Sequence, residues 1–392
     1  MTGISIPNRF DFSYLQAYIL AMNNTIETSA RIVVRDVLAL KKGEQFLIIT
    51  NPSEDVMAVS RALFDAATEA GAESSLIIQH EKTQLDFANK TVLASFGAMP
   101  EVCASISANK MGKDRAASEK PFLLGDQSFD HVFHYQMDGL RSLRAIWTPG
   151  ITVDMFCRTA GIDYGLLNRR CSAICDILEG ADRIHVTAPG GTDIVVPVAG
   201  RKPLRDDGDF RSGGTGGNIP AGEVFISPLP GKSEGVIVFD GSISLNEGDM
   251  IVENPVRVVY EKGFITSVTG GLEAEKLLAS ITAGEKTAFQ FERDGKLPAG
   301  EGAVRSRNCR GLGELGIGLN PHAEIRGNML EDEKAFHSCH FAIGSNYDND
   351  AEAMIHLDCL VRNPTIRVIY PDGSDAYIEK DGMLSPSLEA IQ

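Results

Sequence analysis

Gln45-Phe-Leu-Ile-Ile-Thr50 is a short apolar run rich in β-branched residues, the composition of a strand buried on both faces. Upstream of it, residues 24 to 39 carry apolar side chains at helical spacing. Downstream, Asn51-Pro-Ser53 makes a turn in which Ser53 can cap a helix over Val56 to Ala70; Gly71 ends that helix and Ser74 to Gln79 forms the next strand. Helix, strand, helix, strand is the pattern of a parallel α/β layer. Where a dinucleotide site would need glycines in the first strand-to-helix turn, this chain has Asn51-Pro-Ser-Glu-Asp55, so no nucleotide cofactor is expected there.

Continuing outward, His131-Val-Phe-His-Tyr135 reads as a further strand and Asp163 to Leu178 as a helix ending near Gly180. Beyond that point the pattern changes. Short alternating runs follow (Arg183 to Thr187, Asp193 to Val198, Gly235 to Phe239, Val256 to Tyr260, Thr365 to Tyr370), separated by Pro-Gly-Gly, Asp-Gly and Glu-Gly turns. One helix, Glu273 to Ile281, interrupts them, and Asp294 to Arg310 reads as a long loop. The expected fold class is α/β. Residues 1–181 form an N-terminal α/β layered domain, and residues 182–392 a C-terminal β-rich α+β domain.

Bulk properties narrow the function. The 392 residues are 43% hydrophobic and 23% charged, which suits a globular chain with a large core. A net charge of -16, with no local stripe of Lys and Arg, excludes nucleic acid as a partner. Met1 to Asp11 lacks a basic stretch leading into an apolar one, and no apolar run approaches the ~20 residues that span a bilayer, so a cytoplasmic location without a membrane partner is expected. Seven cysteines, an odd number with no Cys-x-x-Cys pair, argue against a disulfide framework or a four-thiolate zinc site and are read as small buried apolar residues.

Four segments carry chemistry. As a strand, Glu314-Leu-Gly-Ile-Gly-Leu-Asn320 sets Glu314, Gly316 and Gly318 on one face and Leu315, Ile317 and Leu319 on the other. Glycine inside a strand commonly marks close approach by another group. His340-Phe-Ala-Ile-Gly344 repeats the design with an imidazole, and Ile355-His-Leu-Asp-Cys-Leu-Val361 puts His356 and Asp358 on one face, ~7 Å apart at Cα. Gly216-Gly-Asn-Ile-Pro-Ala-Gly-Glu223 brings a carboxylate to a strand entry behind a glycine-rich loop. Taken singly, each has a structural reading: a bend with a solvent-facing glutamate, a core histidine, a His/Asp pair or a turn. Together they present the mixed oxygen and nitrogen donors that bind divalent metals. His80, His131, His134 and His185 lie outside these segments and are read as structural, and Gly213 to Gly217 as a flexible loop beside the cleft.

These segments resemble, in order and wording, the thermophilic-type metallo-aminopeptidases represented by aminopeptidase T and aminopeptidase S. The likeness rests on Asn218-Ile-Pro-Ala-Gly-Glu-Val-Phe-Ile-Ser-Pro228, Gly313-Glu-Leu-Gly-Ile-Gly-Leu-Asn-Pro321, Asp332-Glu-Lys334 leading to His340-Phe-Ala-Ile-Gly-Ser-Asn-Tyr347, and Ile355-His-Leu-Asp358. It is sharp over residues 183 to 370 and architectural before that. The resemblance implies metal ligation by Glu223, Glu314, His340, His356 and Asp358, an active-site role for Tyr347, and a homodimer. Three departures stand out: a shorter interval from Tyr347 to His356, a longer one from Glu223 to Glu314, and His337 and Cys339 flanking His340.

On that resemblance, two divalent ions (zinc, cobalt or manganese) would activate a water to release residues from peptides with a free N-terminus. Glu314 would bridge the ions, Tyr347 would donate to the oxyanion, and Glu223 is the candidate general base. A second reading rests on the same fold: a ring-cleaving dioxygenase of the 2,5-dihydroxypyridine type, with one Fe(II) held by two histidines and a carboxylate, such as His340, His356 and Asp358.

Overall fold

Gln45–Thr50 pairs in parallel with Glu73–Ile78 on one side and Val102–Ile106 on the other. In this computed structural model, which describes residues 25–391, Arg144–Trp147 and Gly216–Asn218 extend the same sheet, again in parallel. The apolar run has the cause its composition suggested. Phe46 and Ile48 face the helices Ile26–Ile32 and Glu54–Glu69, while Leu47 and Ile49 face a second apolar cluster built on Val92, Phe96 and Phe133. A parallel sheet covered on both faces needs such continuous hydrophobicity. Ser53 stands at the N-cap of Glu54–Glu69, but its hydroxyl bonds Glu81 rather than the helix. Gly71, at φ +85°, closes the far end in the left-handed region that glycine favours. Asn24 and the Met1 to Asp11 reading lie outside the described residues.

His131 to Tyr135 is not a strand. His131 caps a short helical turn, its Nδ1 accepting from the Phe133 N–H at 3.1 Å, and the chain continues helically through Gly139. Phe133 and Met137, four residues apart, share one face and enter the second cluster. That helical spacing outweighs the local strand composition. The Gly213 to Gly217 segment is likewise not a loose loop throughout. Gly216–Asn218 is the edge strand of the parallel sheet, packed so closely that a β-carbon on Gly216 would stand 2.6 Å from the Ala145 carbonyl.

The second half is β-rich. Eight antiparallel strands run in the order 264–269, 256–261, 234–239, 193–197, 183–187, 365–369, 375–380 and 383–384. Seven more run 248–251, 242–245, 356–362, 338–344, 312–318, 223–226 and 204–206. The apolar core is continuous from Val33 and Phe46 through Val224 and Leu315 to Val368. The architecture is mixed α/β, as expected.

Two helical boundaries differ from the sequence reading. The helix expected over Glu273 to Ile281 is Leu272–Arg293. Gly284, inside that helix, lies where the helix touches the sheet connection: a β-carbon there would stand 2.7 Å from Ile355 Cγ2. Within the expected loop Asp294 to Arg310 lies the helix Glu301–Asn308. Its first free N–H groups are satisfied from another helix, Glu292 accepting from Gly300 at 2.9 Å and Gly302 at 2.7 Å. No local cap signals that start. All seven cysteines are free, five of them buried. Among the described residues no helix is long and apolar enough to cross a membrane.

Candidate metal centre

The three strands Leu312–Gly318, Ser338–Gly344 and His356–Arg362 lie side by side, and their register assembles the site. Glu314 is opposite Ala342, which is opposite Asp358; Gly316 is opposite His340; Gly344 is opposite His356. On the other side, Glu223–Ile226 sets Glu223 opposite Gly318 and Phe225 opposite Gly316. Residues paired across antiparallel strands share a face. Glu223, Glu314, His340, His356 and Asp358 therefore project together, while Leu315, Ile317, Cys339, Phe341, Ile343, Leu357 and Cys359 enter the core.

The glycines make room. A β-carbon on Gly318 would stand 2.2 Å from the Ala335 carbonyl, and one on Gly316 would collide with the His340 ring. Above that floor, His340 Nε2 is 3.2 Å from Glu314 Oε1 and 3.6 Å from Glu223 Oε2. His356 Nε2 is 3.3 Å from Glu314 Oε2 and 3.2 Å from Asp358 Oδ1. The donors form two overlapping trios, Glu223/Glu314/His340 and Glu314/His356/Asp358, which share Glu314.

The electrostatics call for added positive charge. Burial raises the Glu223 carboxyl despite the nearby Lys334 ammonium. Burial would also raise Asp358, yet His356 holds it down at about 2. Glu314 is likewise lowered against its burial, by hydrogen bonds with His340 and His356. Burial works against a charged His340, but Glu314, Glu223 and Asp358 lift it to about 9. Imidazoles that take protons from such a cluster do the work of a cation. Glu223 Oε2, Glu314 Oε2, Asp358 Oδ1 and His340 Nδ1 are buried without a well-aligned hydrogen bond. A buried donor set left unsatisfied in this way fits a divalent metal.

His356 is oriented from behind: its Nδ1 donates to the Ser345 carbonyl at 3.0 Å, which turns Nε2 toward the carboxylates. Tyr347, from the loop after Gly344, stands beside the cluster, with its ring centroid 5.5 Å from His356 and 4.9 Å from Phe225.

The sequence reading brought no role to four neighbours of these residues. Lys334, with no exposed surface, has its Nζ 2.5 Å from Glu223 Oε1, 2.7 Å from Glu333 Oε1 and 3.5 Å from Asp206 Oδ2. Burial pushes Glu333 up to about 8 and Asp206 to about 6, in each case against Lys334. Phe225 forms an apolar wall with Tyr347. The run Asp332-Glu-Lys334 was visible as part of the resemblance, but that Lys334 is buried among carboxylates is a matter of tertiary packing. The histidines left out of the site have structural partners: His185 with Asp193 at 2.7 Å, His134 with Asp138 at 3.0 Å and His131 with the Gly112 carbonyl at 3.1 Å, while His80 is exposed.

Fold and donor set together define a mixed α/β chain whose buried carboxylates and imidazoles suit a divalent metal. The model of the NicX family, 2,5-dihydroxypyridine 5,6-dioxygenase, matches residues 34–375, and the chain belongs to that family. It is 27% identical over 207 residues to the 2,5-dihydroxypyridine 5,6-dioxygenase of Pseudomonas putida KT2440, a match covering 50% of this chain and 53% of the relative, so that it spans about half the relative's length. Among solved structures, the 2,5-dihydroxypyridine dioxygenase from Pseudomonas putida KT2440 aligns with a TM-score of 0.64 at 18% identity, over 92% of this chain and 97% of that one. Wild-type AmpT from Thermus thermophilus aligns with a TM-score of 0.58 at 19% identity, over 92% and 98%. At these identities the structural likeness concerns the fold.

The family match corrects the expected activity. An aminopeptidase, a hydrolase of peptide bonds, was inferred from a motif order carried on a fold that AmpT shares. The family model and the curated relative both name a dioxygenase, an oxidoreductase. The physical reason for the error is that carboxylate and imidazole donors on neighbouring strands serve hydrolytic and oxidative metals alike.

Proposed function

We propose that this chain is a ring-opening dioxygenase that uses one ferrous ion and acts on dihydroxylated pyridines. The observation that carries the reading is the family match over residues 34–375, a span that includes every residue of the cluster. Two imidazoles with carboxylates form the kind of donor set that ferrous oxygenases use. Glu314, His340, His356 and Asp358 would hold the ion. Ferrous iron, when bound, supplies the one-electron chemistry through which dioxygen reacts with an aromatic ring.

The remaining residues bind and orient. Tyr347, beside His356, and Phe225, beside Tyr347, offer aromatic surface for a flat heteroaromatic ring. Glu223, with Oε1 held by Lys334 and Oε2 without a hydrogen bond, is suited to accept a proton from a ring hydroxyl, and burial, by raising its carboxyl, makes it a better base.

The test is to strip the protein of metal, reload it anaerobically with Fe²⁺ and add 2,5-dihydroxypyridine in aerated buffer. Oxygen uptake with loss of the aromatic absorption is expected, absent from the zinc-loaded protein and from Asp358→Asn. Full iron occupancy with no oxygen uptake on any dihydroxypyridine would overturn the reading.

A further inference from the structure

We propose that Arg201 is a positioning residue: its guanidinium clamps the loop between Gly344 and His356 and so holds Tyr347 against Phe225 and His356 as one wall of the substrate site. The clamp is a matter of contacts within the chain, while the substrate it serves, a dihydroxylated pyridine, rests on the dioxygenase reading above.

Tyr347 is half-exposed, and its ring leans on Phe225 and His356, with centroids 4.9 and 5.5 Å away, so its position follows the loop backbone that carries it. The two ends of that loop are fastened. The Ser345 N–H donates to the Ile355 carbonyl at 2.9 Å, and Asn308 Nδ2 donates to the Glu352 carbonyl at 2.9 Å. In between, Asn346 shapes the loop from within, its Nδ2 donating to Asp350 Oδ1 at 2.6 Å and its Oδ1 accepting from the Ala351 N–H at 3.2 Å. Among the described residues, the one side chain that reaches residues 346–351 from outside by a hydrogen bond or ion pair is that of Arg201.

Arg201 enters from a fixed turn. Its own N–H donates to the Val198 carbonyl at 2.9 Å, and the Leu229 N–H donates to the Pro197 carbonyl at 2.8 Å, which joins that turn to the end of the strand Glu223–Ile226. The guanidinium forks across the loop tip: Nη2 is 2.8 Å from Asp350 Oδ2 and Nη1 is 3.4 Å from Asp348 Oδ1, while Nη2 also donates to the Pro228 carbonyl at 3.2 Å. One planar group thus ties the Tyr347 loop to the segment that follows Glu223 and Phe225. The Arg201 side chain is 9% exposed, so these charge-assisted bonds are stronger than those of a solvated ion pair. Between the two aspartates, Asn349 is at φ +59°, a turn that brings like charges close together and leaves a cation to hold them there.

Oxygen-uptake kinetics on iron-loaded full-length protein test the clamp. Arg201→Met should raise KM for 2,5-dihydroxypyridine about tenfold with kcat within about threefold, the pattern of lost substrate binding rather than lost chemistry. Tyr347→Ala should raise KM as much, and the double variant no further, because both changes remove one contact. An unchanged KM in Arg201→Met, or rises that multiply in the double variant, overturns the proposal. Co²⁺ affinity of Arg201→Met should stay within about threefold of wild type, since His356 is oriented by Ser345 and not by the clamp; a larger loss would mean general damage to the site and overturn it as well. Because Arg201→Met can misfold, Asp350→Asn, at the exposed loop tip, is the second arm. Amide hydrogen exchange over residues 345–353, which needs no turnover, should quicken about tenfold in Arg201→Met and at least about threefold in Asp350→Asn; exchange equal to wild type in both overturns the proposal. No oxygen uptake by iron-loaded wild type would refute the dioxygenase, and faster exchange in the variants would then leave the clamp standing.

Discussion

The imidazole of His340 lies over the backbone of Gly316, where a β-carbon would stand 2.1 Å from both Cε1 and Nε2. Gly316 is not at positive φ, so its backbone accepts alanine and the collision falls on the ring alone. Gly316→Ala should therefore push His340 off Glu314 while leaving the sheet folded. Metal affinity should fall ~10- to 100-fold, the usual cost of disturbing a group that orients a metal site. A Co²⁺ titration set beside a thermal melt separates that effect from the ~1 to 3 kcal/mol lost to overpacking.

Metal should stabilise the fold. Glu223, Glu314 and Asp358 direct carboxylate oxygens at one cluster, and an ion bound to the native state alone relieves their repulsion. At a free metal concentration one hundred times Kd the gain should be about 2.7 kcal/mol, read as a rise in Tm on adding Mn²⁺ or Co²⁺ to apoprotein. Asp358→Asn should lose most of that rise. An equal rise in the variant would show the ion binding elsewhere.

Glu379 links stability to pH. Its side chain is fully buried, neither carboxylate oxygen has a hydrogen-bond partner, and burial pushes its pKa up to about 8. The unfolded chain ionises this group near pH 4.5, so between there and about 8 the native state binds the extra proton and stability falls as pH rises. Glu379→Gln should match wild type in urea unfolding at pH 4 to 5 and exceed it at pH 9 by ~3 to 5 kcal/mol. A difference independent of pH would contradict this assignment.

Arg158→Lys should destabilise the chain by ~1 to 3 kcal/mol, because a lysine cannot reproduce the fork on Glu331 and also reach the His322 carbonyl. The urea midpoint measures it. An unchanged midpoint would mean that the pair does not brace the turn carrying Lys334.

Strands were legible wherever the decisive pattern is local. Glu314, Gly316 and Gly318 alternate with Leu315 and Ile317, and that period of two survives in the structure, as does the His356/Asp358 pair. Helices held by distant partners were not legible. Glu301–Asn308 has no apolar stripe and takes its cap from Glu292, and the turn at His131 is helical because Phe133 and Met137 have a cluster to enter.

The sequence by itself determined which side chains share a strand face, because backbone geometry makes that a property of neighbours two residues apart. It also determined the parallel layer, whose apolar run at Gln45–Thr50 demands cover on both sides. Tertiary structure alone decided that Glu314 lies between two histidines and that Lys334, 111 residues from Glu223 along the chain, neutralises it. Those are matters of register and burial between segments far apart in the chain. No local pattern encodes them, and the same donors on the same fold serve different chemistries.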